Sequence, residues 1–264
     1  MAKSRSQASR SRQAEMEQQR LAQAQKDRKI RLAVFGGGLG LIVIIVVVAV
    51  VGLNLTGRGG DVTPLHGDEA QTGITPNLDV AAAAPVLEIF SDYQCPGCAS
   101  YEAGLSDTLE SIIDDGSAKV VFRTMTFNDQ VNGTENAQSS TRAAVAAACA
   151  DTLEGDYYFP MYAEIFANQP SPEGVGFSDE QLRTTFPTAV GITADQLTDY
   201  QTCYDKRLTG QFVQSVDNSA SADNVRSTPT YRLNGTNITQ DINPATADDA
   251  GATLRQMIAD VSEG

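Results

Sequence analysis

The chain has 264 residues and a formal net charge of −14, with 33 acidic side chains against 19 basic ones. Nine of the basic side chains and three of the acidic ones fall within residues 1–31, so the rest of the chain is more acidic than the total indicates. A surface of that sign repels phosphate backbones and anionic lipid headgroups. This charge distribution excludes nucleic acid as a partner of the chain beyond residue 31.

The first predicted element is a membrane anchor. Residues 32–53 form an uninterrupted apolar run, and as a helix they would measure about 33 Å, against about 30 Å for a hydrocarbon core. The basic residues before the run predict a cytoplasmic tail over 1–31 and an extracytoplasmic position for the rest. A cleaved signal peptide is the alternative, but its apolar region is shorter and ends at a small-residue cleavage site. The sequence therefore predicts a single-pass protein of the cell membrane, held in the lipid bilayer by one helix.

Residues 54–84 follow the apolar run and are rich in Gly, Thr, Asp and Pro, without a sustained hydrophobic period. This composition predicts a flexible extracytoplasmic linker. The single histidine of the chain, His66, falls within it and is interpreted as a solvated side chain without a catalytic role. That position excludes histidine-based catalysis and most histidine-containing metal sites.

Residues 85–264 are enough for one domain, and their patterns predict an α/β order of elements. A short buried strand, a helix, a second strand, a long helical stretch, a hairpin and a final helix follow one another. The sequence places the two strands and the helix between them at 86–90, 98–116 and 119–127, and the hairpin at 229–238, with the last helix at the C-terminus. The long helical stretch covers 138–168, with a break near Gly155, and 177–216, in pieces. Asn234 and Gly235 are the typical pair of a type I′ hairpin turn.

Cys95 and Cys98 are two residues apart and lie between the first strand and the first helix. A zinc site needs about four ligands in close pairs, and the other two cysteines are isolated, so no metal is expected. A purely structural bridge between Cys95 and Cys98 would close too small a ring to stabilise the fold much. A thiol at a helix N-terminus has a lowered pKa and is a good nucleophile. The spacing therefore predicts dithiol–disulfide chemistry, in which Cys95 attacks and Cys98 resolves the mixed disulfide.

Cys149 and Cys203 each fall in a predicted helix. In an extracytoplasmic compartment disulfides persist, so we expect these two cysteines to form a structural disulfide. The closed loop of 54 residues would stabilise the fold by about 4 kcal/mol in the chain-entropy model. Two buried free thiols are the alternative.

The segments "FSDYQCPGC" at 90–98 and "STPTYRLNG" at 227–235, the helical stretch and the final helix together resemble the DsbA-like thiol–disulfide oxidoreductases of the thioredoxin superfamily, in their membrane-anchored bacterial-envelope form. The resemblance covers residues 85–264. It implies a thioredoxin-like fold with a helical insertion, at about 133–222, between the second and third core strands.

The resemblance also implies roles for individual residues. Cys95 is the nucleophile, Cys98 the resolving thiol, and Pro96 and Gly97 complete the redox motif. Pro229 is expected to follow a cis peptide bond and to face the cysteines, with the backbone of Thr228 binding substrate. Asp92 also matches a residue common in the family, but its position predicts a surface turn.

The function implied is thiol–disulfide exchange on exported cysteine-containing proteins, in the direction of disulfide formation. Re-oxidation would come from a membrane partner of the DsbB or vitamin K epoxide reductase type, without a metal or organic cofactor. The strongest oxidants of the family carry histidine where this chain has Gly97, which predicts a less oxidising pair. A reductase or isomerase with the same site, and a non-catalytic chaperone-like binding module, are the alternatives.

Overall fold

The computed structural model describes residues 60–131, 138–171, 175–247 and 249–263. The predicted cytoplasmic tail and membrane helix, residues 1–53, lie outside them. No helix within the described ranges is both long and apolar enough to cross a membrane.

The described residues form a mixed four-stranded sheet with helices between and after its strands. In chain order the elements are β1 (Val86–Ser91), α1 (Pro96–Asp115), β2 (Lys119–Thr124), α2 (Asn128–Val131), α3 (Ser139–Ala150), α4 (Tyr158–Ala167), a π-helical turn (Gln181–Thr185) that continues into α5 (Phe186–Ala189), α6 (Ala194–Asp205), α7 (Gly210–Ala222), β3 (Thr230–Leu233), β4 (Thr236–Asn237) and α8 (Ala250–Ser262).

The strand order is β2-β1-β3-β4. β1 and β2 are parallel because α1 carries the chain back across the sheet, whereas β3 runs antiparallel to both β1 and β4. Helices α2 to α7 fall between β2 and β3. The predicted thioredoxin-like α/β fold is confirmed, and the helical stretch occupies the expected place in the strand order.

α1 is the helix that places the cysteines. Its buried side chains recur every three or four residues from Cys98 to Ile112, which gives one continuous face toward the core. The helix ends at Gly116, whose φ of 65° is left-handed and whose N–H bonds the carbonyl of Ile112; glycine adopts this conformation without steric penalty. α1 packs against α4 and α8.

The β3–β4 hairpin has the predicted turn. Strand β2, by contrast, is shorter than predicted. Asn234 and Gly235 both have positive φ, 47° and 80°, as a type I′ turn requires. β2 stops at Thr124 rather than continuing to residue 127. The N–H of Met125 still bonds the carbonyl of Ser91 at 2.7 Å, but the following amide leaves the ladder. The N–H of Thr126 bonds the side chain of Asp217 instead.

The segment from residue 60 to residue 76, which we call the N-terminal strap, packs on the domain. Ile74 is 4% exposed and exchanges two backbone hydrogen bonds with Phe122, of 3.0 and 2.8 Å. This bridge covers part of the outer edge of β2. The prediction of a flexible linker over 54–84 is therefore wrong for the strap, because composition does not reveal a pairing partner nearly fifty residues away.

His66 lies in the strap and is bound rather than free in solvent. Its Nδ1 lies 2.6 Å from Oδ1 of Asp151, and its backbone N–H donates to the other carboxylate oxygen at 2.9 Å. The Asp151 side chain has no exposed surface, and that of His66 is 24% exposed. The interpretation of His66 as a solvated side chain is wrong, since it pairs with a carboxylate that burial would otherwise isolate.

Cys149 of α3 and Cys203 of α6 form a disulfide with an S–S distance of 2.01 Å. Both cysteines are buried. The bridge thus joins two helices of the insertion, and it is the pairing expected from the sequence.

Candidate active site

Cys95 and Cys98 lie at the start of α1, directly after the turn that follows β1. Cys95 is the N-cap residue, with φ −81° and ψ 116°, and Pro96 occupies the first turn, where a missing N–H loses no helical hydrogen bond. Cys95 is partly exposed, whereas Cys98, one turn further on, is 3% exposed. Both are free thiols in this structure, so the helix presents one thiol to solvent and keeps the other in the core.

The environment separates the acidities of the two thiols. The pKa of Cys95 is lowered to about 6, and the largest cause is a hydrogen bond from the Cys98 thiol. The Thr228 side chain and the amides of Gly97 and Cys98 lower it further, whereas burial opposes the shift. The pKa of Cys98 is raised well above its usual value, first by burial and then by its interaction with Cys95. At neutral pH the thiolate therefore resides on Cys95.

The loop before β3 faces the thiols. The Thr228–Pro229 peptide bond is cis, the isomer implied by the resemblance. Sγ of Cys95 lies 3.4 Å from the Thr228 carbonyl oxygen, to which the thiol donates when it is protonated. A Cβ added to Gly97 would lie 3.2 Å from Cδ of Pro229, a contact tighter than side chains usually make. Glycine at this position therefore lets the proline approach the redox motif.

Asp92 lies in the turn before Cys95, but it has no exposed surface, so the prediction of a surface turn is wrong. Its carboxylate accepts hydrogen bonds from the N–H of Gln94 at 2.9 Å, the N–H of Asn128 at 3.0 Å and the hydroxyl of Ser140 at 2.6 Å. Burial raises the pKa of Asp92 to about 6, although these three donors oppose the rise. Asp92 thus ties the active-site turn to α2 and α3.

Gln169, just after α4, supports the same turn from the other side. Its side-chain amide donates to the carbonyls of Tyr93 at 2.8 Å and Cys95 at 3.0 Å. The nucleophile is therefore held by contacts from the insertion as well as by α1.

Glu102 is a buried acid near the cysteines that the sequence reasoning missed. It is 3% exposed and follows Cys98 by one helical turn. Burial raises its pKa to about 7, and the Ser106 hydroxyl offsets part of that rise. The signal was present in the sequence, because Glu102 stands at helical spacing between Cys98 and Leu105 on the apolar face of α1.

A partly exposed thiol of lowered pKa and a buried resolving thiol, opposite a cis-proline on a thioredoxin-like sheet, can perform reversible dithiol–disulfide exchange. Fold and site together define a thiol–disulfide oxidoreductase.

The chain belongs to the thioredoxin family, since the sequence pattern described as Thioredoxin matches residues 80–250. Its fold is shared with the solved structures of three bacterial proteins at low identity. These are oxidised DsbA of Mycobacterium tuberculosis, with 21% identity, TM-score 0.52 and coverage of 70% of this chain and 91% of that one; MdbA of Corynebacterium diphtheriae, a thiol-disulfide oxidoreductase, with 16% identity, TM-score 0.55 and coverage of 75% and 95%; and oxidised BdbD of Bacillus subtilis, with 18% identity, TM-score 0.56 and coverage of 78% and 100%. A search of curated proteins found no match.

Proposed function

We propose that this chain forms disulfides in exported proteins, with Cys95 as the exchanging thiol and Cys98 as its internal partner. The observation that carries the proposal is the asymmetry of the pair. The pKa of Cys95 is lowered to about 6 on a partly exposed side chain, and that of Cys98 is raised on a buried one. Such a pair directs an incoming substrate to Cys95.

The reaction runs in two exchanges. A substrate thiolate attacks Sγ of Cys95 in the Cys95–Cys98 disulfide, and Cys98 leaves and takes up a proton. The second substrate thiolate then attacks the substrate sulfur of the mixed disulfide, and Cys95 leaves as the thiolate that its surroundings stabilise. The substrate loses two electrons and two protons, and the enzyme dithiol must be re-oxidised by an external disulfide or quinone-linked partner.

The acidity of Cys95 supports the oxidising direction, because a stabilised thiolate favours the reduced enzyme and so raises the reduction potential. A pKa of about 6 lies between those of thioredoxin, about 7, and DsbA, about 3.5. At pH 7 the stabilisation amounts to at most about 1.4 kcal/mol, or about 30 mV, and solvent at the partly exposed Cys95 reduces it. This acidity supports the proposal of a moderate oxidant.

Other features support an extracytoplasmic setting. The Cys149–Cys203 disulfide is typical of oxidising compartments. The basic residues 1–31 and the apolar residues 32–53 fit a membrane anchor with its N-terminus in the cytoplasm. Exported cysteine-containing proteins are then the substrates, and a membrane protein of the DsbB or vitamin K epoxide reductase type is the re-oxidant.

The test is a redox titration of the purified full-length chain in glutathione buffers, with thiol alkylation read by peptide mass. We expect a Cys95–Cys98 potential above about −180 mV, whereas a value near −250 mV or below would identify a reductant. The peptide readout also reports whether Cys149 and Cys203 stay bridged throughout. In Cys95→Ser, substrate oxidation should disappear. A wild-type chain that oxidises no substrate, together with a Cys95→Ser variant that still binds its partner, would instead indicate a non-catalytic binding module.

A further inference from the structure

Glu102 is a buried carboxyl group that the two exchanges above do not use. It is 3% exposed, and neither of its oxygens has a hydrogen-bond partner among the described residues. The Ser106 hydroxyl is near enough to lower the pKa of Glu102, yet it makes no hydrogen bond of ordinary geometry to either oxygen. Buried polar groups in folded proteins are nearly always satisfied. Both carboxyl oxygens are therefore open to a donor from outside the fold.

Glu102 lines a cavity between α1 and α4. The cavity has a volume of about 560 Å³, within the range of about 300–1,000 Å³ for pockets that bind small ligands. Four alanines, two from each helix, leave the space between the helices open, and Pro160 and Phe166 add apolar surface. The cavity thus combines a mostly apolar wall with a buried, unpartnered acceptor.

The charge of the cavity selects a cation. Glu164 of α4 contributes a second carboxyl, and the described lining contains no lysine, arginine or histidine. Neither Glu102 nor Glu164 forms an ion pair with a described residue. A lysine or arginine side chain has an apolar stem and a charged end, which matches the apolar wall and the two carboxyl groups. The cavity therefore fits a basic side chain better than an apolar or an acidic one.

The cavity begins beside the nucleophile. Ala99, one turn of α1 after Cys95, lines it, and so does Gln169, which donates to the Cys95 carbonyl at 3.0 Å. Glu102 follows Cys95 by seven residues, or about 10.5 Å along the helix axis. An extended substrate advances about 3.3 Å per residue, so three of its residues cover about the same distance. A long side chain within three residues of the substrate cysteine can therefore enter the cavity while that cysteine reacts at Cys95.

We propose that this cavity is a subsite for a lysine or arginine side chain of the substrate, placed within three residues of the reacting cysteine. The charged end of that side chain donates to Glu102, its stem lies between the alanines of α1 and α4, and Glu164 adds a second negative charge. The inference rests on the proposed function in that the substrate reacts at Cys95, but it does not depend on the direction of exchange.

The test compares peptides that differ in one side chain. The oxidised full-length chain is mixed with reduced peptides that carry one cysteine and either lysine or norleucine at each of the three positions on either side of it. The second-order rate constant of mixed-disulfide formation at Cys95 is read by acid quenching and mass. Norleucine has the apolar stem of lysine without its charge. At pH 8, above the Glu102 pKa of about 7, we expect lysine to react about tenfold faster at the position that reaches the cavity, near the low end for hydrogen bonds to charged groups.

Three variants make the result specific. In Glu102→Gln the ratio of the lysine rate to the norleucine rate should fall below about twofold. Ala103→Leu narrows the cavity but keeps both carboxyl groups, and it should lower the ratio as well. Glu110→Gln removes an exposed carboxyl of α1 that does not line this cavity and should leave the ratio unchanged. Each ratio is taken within one variant, so a change in the reactivity of Cys95 or Cys98 cancels.

Salt distinguishes the subsite from a general attraction of cations to the acidic domain. Interactions between exposed charges are largely screened at about 0.5 M salt, whereas a buried pair is screened much less, so the lysine preference should persist there. The inference is overturned if the wild type reacts equally with lysine and norleucine peptides, if the preference survives Glu102→Gln or Ala103→Leu, or if Glu110→Gln lowers it as much. A wild-type chain that forms a mixed disulfide with none of the peptides would instead refute the proposed function.

Discussion

Replacing Glu102 by Gln should change how the stability of the fold depends on pH. Burial raises the pKa of Glu102 from 4.5 to about 7, so between these values the folded state keeps a proton that the unfolded state has released. The contribution of this group to the free energy of unfolding is therefore fully present below pH 4.5. It is lost as pH rises from 4.5 through about 7. At 1.36 kcal/mol per pH unit the difference is about 3 kcal/mol. Glutamine has nearly the same shape and no charge, so the variant should not show this loss.

The assay is urea unfolding of the oxidised wild type and Glu102→Gln from pH 4 to pH 8.5, with the two free energies of unfolding subtracted at each pH. Keeping Cys95 and Cys98 oxidised prevents thiol titration, and Asp92, which also has a raised pKa, cancels in the difference. The difference should grow in favour of the variant by about 3 kcal/mol between pH 4.5 and pH 7.5. A difference that stays within about 0.5 kcal/mol over that range would refute the assignment of a raised pKa to Glu102.

Three further outcomes are expected. The rate of alkylation of Cys95 by iodoacetamide should rise with pH around its lowered pKa of about 6, and a midpoint near 9, read by peptide mass, would contradict the described hydrogen bonding. Replacing Cys149 and Cys203 together by Ala removes a bridge that closes a sequence separation of 54 and should lower the free energy of unfolding by about 4 kcal/mol; a urea midpoint equal to that of wild type would count against it. His66→Ala removes the ring contact with buried Asp151 and should destabilise the fold by about 2 kcal/mol, whereas unchanged stability would mean that the N-terminal strap contributes little.

The parts of the molecule that the sequence predicted depend on short-range signals. Cys95 and Cys98 lie within one helical turn, and the strand before them and the helix after them have clear hydrophobic periods. The Asn234–Gly235 turn is likewise set by two adjacent residues whose backbone conformations few other residues adopt. In each case the residues that form the feature lie within a few positions of one another. For this reason both the thioredoxin-like sheet and the position of the redox motif could be predicted.

The residues that were misread depend on partners far away in sequence. His66 binds Asp151, 85 residues later, and Ile74 pairs with Phe122. Neither pairing leaves a periodic pattern in a segment rich in Gly, Thr and Pro. Composition can exclude a regular helix or strand there, but it cannot distinguish a free linker from a strap that is bound along its length.

In the active site, too, contacts between residues far apart in sequence leave no local pattern, and several of them come from the insertion. Asp92 resembles a surface residue until Ser140 of α3 and Asn128 of α2 are brought to it. Gln169, beyond α4, fixes the carbonyl of Cys95. The insertion therefore does more than enlarge a thioredoxin-like domain, because it contributes donors that hold the redox turn in place. A change in the insertion that displaces Ser140 or Gln169 is expected to act on the acidity of Cys95 through the turn, without any contact with the sulfur itself.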